Sequence, residues 1–197
     1  MPFVSARGVA AIITILFLCV SLVLLQLQLD RLRHGGNEPD LTLPSGRFLK
    51  VAVLGYRQVA ADFFWVKATL YIGDTVRAAR GYPQLYPLAD LVTDLDPRFL
   101  VPYQAAGITL SVYAERPDES TRILTKGMRE RPDYWVFPFY VGFNYFYHLH
   151  DYLTAAKFLE QASALPDRPA YLPSLVARLY AQAGRPETAL EFLARMY

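Results

Sequence analysis

Small residues recur in this chain at a set interval, and that interval restricts the fold more than any other feature. Gly107, Gly142 and Ala177 lie about 35 residues apart, a period typical of stacked helical-hairpin units. Leu124, Leu159 and Leu193 keep nearly the same interval, as do Gly127, Ala162 and Met196. Proline marks the unit boundaries at Pro97, Pro132 and Pro166, and it recurs near a helix start in "VPYQAAG", "FPFYVG" and "LPSLVA". A small residue in the first helix of a hairpin lets the second approach closely. Proline in a first helical turn forfeits no hydrogen bond, because that N–H has no partner inside the helix. A hairpin of this length cannot bury its apolar face alone, so the units must stack. The predicted class is all-α, with three helical hairpins over 97–197.

Upstream, residues 47–96 read as a helical lead-in and a degenerate first unit, expanded by "RAARGYPQ". Val59, Phe63, Val66 and Leu70 follow the three-to-four spacing of a helix. Asp62 has Arg57 and Lys67 five residues away on either side, offsets that suit neither partner within one helix. It reads as a solvated residue. "HGGNEPDLTLPSG" falls in a linker at 31–46, because it is rich in Gly and Pro and has no apolar period.

Residues 1–30 read as a membrane anchor. The stretch 8–29, "GVAAIITILFLCVSLVLLQLQL", carries no charge, and about 20 such residues suffice for a helix to cross a bilayer. No small-x-small cleavage site follows it, so the reading is an uncleaved single-pass helix. A short amino-terminal tail before such a helix favours export of the following domain to a periplasmic or extracytoplasmic location. The count of Arg31, Arg33, Arg47 and Lys50 against Arg7 points the other way, to a cytoplasmic domain.

A formal net charge of +2 and the lack of a Lys/Arg run argue against nucleic acid. Cys19 is the only cysteine, so one chain can form neither a disulfide nor a cysteine metal site. No nucleophile elbow, Walker loop, dinucleotide fingerprint or zinc-protease helix is present. His148 and His150 stand two apart, and on a helix their side chains diverge too far to share a metal. The expectation is a binding protein rather than an enzyme, with no catalytic residue, metal or cofactor.

"DYLTAAKFLEQASALP" and "LVARLYAQAGRPETALEFLARM" resemble the tetratricopeptide repeat, through Tyr152, Ala155, Leu159 and Ala162, and through Ala177, Tyr180, Gly184, Ala189 and Leu193. "VPYQAAGITLSVYAERPDESTRILTKGMRERP" is a poorer copy, with Leu110 in the tyrosine place and Ser120 in the second-helix alanine place. The resemblance implies an α-α superhelix of about three repeats whose first helices line a concave, partner-binding face. In the register of the small residues that face takes Gln104, Ile108 and Ser111 from the first repeat. It takes Phe139, Phe143 and Phe146 from the second, and Tyr171, Ser174 and Arg178 from the third. A guanidinium in such a groove suits a carboxylate.

The run "YWVFPFYVGFNYFY" is the first helix of the central repeat, and it is more aromatic than one buried face requires. Its surplus, led by Phe139, Phe143 and Phe146, is expected to meet a partner or the membrane surface. Leu190, Phe192, Leu193 and Met196 form a last apolar face with no capping helix after it. Three functions fit: a membrane-anchored scaffold or adaptor for assembling or stabilising a membrane-associated complex, a permanent structural subunit of such a complex, or a peptide- or substrate-binding component of a secretion or envelope-assembly pathway. The expected partners are other proteins, as subunits of a membrane complex.

Overall fold

The computed structural model describes residues 14–25, 28, 49, 53 and 55–196. The chain divides into two compact units, Met1–Thr42 and Leu43–Tyr197. The segment read as a linker, 31–46, lies outside the described residues.

In the first unit the described helical stretch is 14–25, with residue 28 also helical. At 1.5 Å per residue 14–25 extends roughly 18 Å, against a hydrocarbon core of ~30 Å. Among the described residues no helix is long and apolar enough to cross a membrane. The single-pass anchor expected at 8–29 is therefore corrected, and the exported location inferred from it falls as well. The expectation rested on the absence of charge over 8–29, whereas crossing depends on helix length, and of that run the structure describes 14–25 and 28.

Every regular element described in the second unit is helical. These are α1 (Arg57–Ile72), α2 (Thr75–Ala78), α3 (Leu85–Leu95) and α4 (Leu100–Ile108), the last continued by a π-helical turn at Thr109–Tyr113. After them come α5 (Pro117–Glu130), α6 (Val136–Tyr147), α7 (Tyr152–Ser163), α8 (Leu172–Gln182) and α9 (Pro186–Met196). Pro102, Pro138 and Pro173 fall in the first turns of α4, α6 and α8, while Pro117 and Pro186 open α5 and α9. Asp151 caps α7, its carboxylate accepting from the Thr154 N–H at 3.0 Å. Hydrogen bonding from the Thr154 side chain first, and then from this N–H, holds the Asp151 carboxyl below the usual carboxylate range.

α1 packs on α3, and from α3 onward each helix packs on its successor. The recurring small residues lie at the tightest contacts. A methyl group added at Gly107 would sit 2.6 Å from a Leu124 methyl, and one at Gly142 would sit 2.8 Å from Leu159 Cγ and 3.1 Å from the Ala155 carbonyl oxygen. Gly107 with Leu124 and Gly142 with Leu159 are thus the same contact in successive hairpins. Each glycine admits a leucine where a Cβ would push the helices apart.

The insertion before α3 is packed rather than loose. Tyr82 is buried with φ at 50°, a left-handed conformation that L residues seldom adopt. Its hydroxyl donates to the Ile72 carbonyl at 3.1 Å, and the Arg116 guanidinium reaches its carbonyl at 3.4 Å. The Tyr71 ring lies against it at 6.2 Å. Farther along, Lys126 of α5 donates to Asp90 Oδ1 at 2.7 Å and Asp94 Oδ1 at 2.8 Å, tying α5 to α3. At the far end Phe192 is buried and Leu190 is exposed.

Candidate binding surface

The residues assigned to a concave face come from α4 with its π-helical turn, from α6, and from the start and outer face of α8. A π turn adds one residue to the helix circumference, seen in the Ala114 N–H reaching back to the Thr109 carbonyl at 3.0 Å. The extra residue rotates Ser111 inward. Its hydroxyl donates to Asn144 Oδ1 at 2.6 Å, and the Asn144 amide donates to Ser120 Oγ at 2.9 Å and Thr121 Oγ1 at 3.1 Å. Ser120 in turn donates to the Gly107 carbonyl at 2.7 Å. Ser111, Ser120 and Asn144 are all buried, and their network joins α4, α5 and α6.

His148 Nε2 lies 3.3 Å from Ser111 Oγ. The Ser111 hydroxyl donates to Asn144, and the His148 ring nitrogen is its second polar neighbour.

Above the network the aromatic residues of α6 divide into two groups. Phe139 meets Trp135 and Tyr140 edge-on and Phe146 meets Tyr152. Both pack against the core shared by α7, α8 and α9. Phe143 does not join that core. It stacks on the exposed Tyr147 at 5.3 Å with rings 9° apart, and both rings meet His148 edge-on. Tyr140 is half-buried. Burial first, and then nearby Tyr171, push its phenol above the ordinary value.

The nine sequence-assigned residues thus fall into three situations. Ser111 is buried and occupied, and Gln104 is half-buried and accepts from the Tyr134 hydroxyl at 3.0 Å. Ile108, Phe139, Phe143 and Phe146 are half-buried, and only Phe143 among the three phenylalanines belongs to the outward stack. Tyr171, Ser174 and Arg178 are exposed on α8, and Arg178 has no ion pair among the described residues. Tyr147 and His148 were not assigned to the surface, yet they complete the Phe143 cluster. One signal was available: Asn144 is a lone amide in an aromatic helix, and such a group must find partners when buried.

No family model matches this chain, and no curated protein matches it either. Among the described residues no group of three or more His, Cys, Asp or Glu could hold a metal ion.

Proposed function

We propose that residues 57–196 form a stack of helical hairpins that binds protein partners, serving as a scaffold or adaptor in complex assembly. The supporting observation is the outward cluster of Phe143, Tyr147 and His148, held on a rigid base by the Ser111–Asn144–Ser120 network. Aromatic side chains on a rigid element bury large areas at small entropic cost, which is what a binding hot spot needs. Tyr171, Ser174 and Arg178 extend the polar part of this surface on α8. The repeated contacts of Gly107 with Leu124 and Gly142 with Leu159 support the repeat architecture and its superhelical stacking.

A partner segment presenting an aliphatic or aromatic anchor would cover the Phe143–Tyr147 stack, and a carboxylate would meet Arg178. The test is affinity capture with the full chain, comparing wild type with Tyr147→Ala and Arg178→Ala. Tyr147 and Arg178 are exposed, so both variants should fold normally by circular dichroism. Each should weaken capture of the same partner by at least about tenfold. Equal recovery by all three proteins would remove this surface from the binding reading.

A further inference from the structure

Helix α1 is apolar on two opposite faces, and among the described residues of its unit only one of them is covered. Ala61, Ala68 and Tyr71 are buried, with Phe64, Trp65 and Ile72 packed beside them. On the other side Val59, Phe63, Val66 and Leu70 are 64%, 56%, 58% and 70% exposed, and Tyr56 just before the helix is 73% exposed. A helix that is apolar all round is normally covered all round. An uncovered stripe of this length points to an interaction surface.

The stripe has the spacing of a coiled-coil seam. From Tyr56 the steps are three, four, three and four residues, so Tyr56, Phe63 and Leu70 occupy a positions, and Val59 and Val66 occupy d positions. In this register Ala61 and Ala68, which face the domain, are f positions. The body of the unit therefore stands directly behind the seam. Asp62 becomes a g position and Lys67 an e position. Both are exposed, and Lys67 Nζ lies 4.6 Å from the centroid of the Phe63 ring.

The flanking charges select the occupant. In a parallel two-stranded coil a g residue faces the e residue five positions later on the other helix. Asp62 and Lys67 have that offset, which is too long for pairing within one helix and suits pairing between two copies. Two-fold symmetry makes the pair twice. In an antiparallel arrangement g faces g, so Asp62 would lose Lys67 as its partner. We infer that α1 associates with α1 of a second copy of this chain, side by side and in parallel, through Tyr56, Val59, Phe63, Val66 and Leu70.

The experiment uses the full chain carrying Cys19→Ser, so that no native thiol remains, with Cys introduced singly at Val66 and at Val101. Val101 is an exposed residue of α4, away from the seam. A d residue in a parallel coil lies beside its own counterpart, so Val66→Cys should give a disulfide-linked dimer under mild oxidation while Val101→Cys should not. In light scattering the uncrosslinked chain should be a dimer that Phe63→Asp/Val66→Asp dissociates, raising Kd by at least about 100-fold without loss of helicity. Lys67→Glu should weaken the dimer by about fivefold, and Asp62→Lys/Lys67→Glu should restore it. Three results would overturn the inference: a chain monomeric at tens of micromolar, equal crosslinking at positions 66 and 101, or a dimer unaffected by the double aspartate variant. Loss of another protein from captured material with no change in the mass of the chain itself would also overturn it, and would assign the stripe to a different partner.

Discussion

Helices α6 and α1 are both built from aromatic and aliphatic residues, yet their surroundings differ. Within α6 only Tyr147 is exposed, and every other position is buried or half-buried against α4, α5 and α7. Along α1 an entire stripe is uncovered, and the helix packs chiefly on α3. The small residues behind each helix show what separates them. Gly142 admits Leu159 into α6 itself, so the neighbouring helix closes over the aromatic face. Ala61 and Ala68 perform that service on one side of α1, and its other side carries large side chains throughout. Overall apolarity therefore does not make a helix central. Covering it takes a neighbour on each side and small residues to let those neighbours near.

The largest test of this contrast is Asn144→Leu, which removes the 2.6 Å acceptor of the buried Ser111 hydroxyl. Urea unfolding should show a loss of about 2–4 kcal/mol. A loss below about 0.5 kcal/mol would mean that the polar network does not hold α6 in place. Gly142→Ala should cost about 1–3 kcal/mol, even though alanine favours helix, because the added methyl meets a backbone carbonyl as well as Leu159. The same change at Gly107 should cost less, since the nearest atoms there all belong to the Leu124 side chain rather than to backbone.

A smaller effect concerns the neighbouring hairpins. Tyr180 of α8 donates to Glu160 of α7, and Arg195 of α9 holds the same carboxylate at 2.9 Å. Burial, and then the hydrogen bond to Glu160, push the Tyr180 phenol up to about 12, above an unfolded value of about 10. A raised folded-state value means that folding favours the protonated phenol. Its contribution to stability is complete below about pH 10 and is lost as pH rises toward about 12. Denaturation midpoints measured across that window should fall for the wild type and fall less steeply for Tyr180→Phe. The smallest effect belongs to α1: Val59→Thr should change monomer stability by less than about 0.5 kcal/mol, measured at concentrations too low for association. A larger loss would show that the stripe supports its own domain.

Much of the hairpin region was legible in the residues. The interval through Gly107 and Gly142 located the close contacts, because a helix approached by a leucine at one point needs a small residue there whatever else surrounds it. The prolines located helix starts, since proline is compatible with the first turn and disruptive later. Tyr82 was not legible as a packed residue, because "RAARGYPQ" has the composition of a loop, and its burial and its contacts with Ile72, Tyr71 and Arg116 are tertiary. Nor was the inward turn of Ser111 legible, because a helical register places it on the same face as Gln104 and Ile108.

By itself, then, the sequence determined that this part of the chain is helical, where its hairpins begin, and which small residues stand at the crossings. Those properties follow from local backbone preference and from side-chain volume at one contact. Tertiary structure alone decided which of two apolar faces of α1 is covered, that a π turn commits Ser111 to Asn144, and that Phe143 leaves the core while Phe139 and Phe146 remain near it. Each of these depends on what lies across a gap from the residue, and a periodic pattern along one helix carries no record of its neighbours.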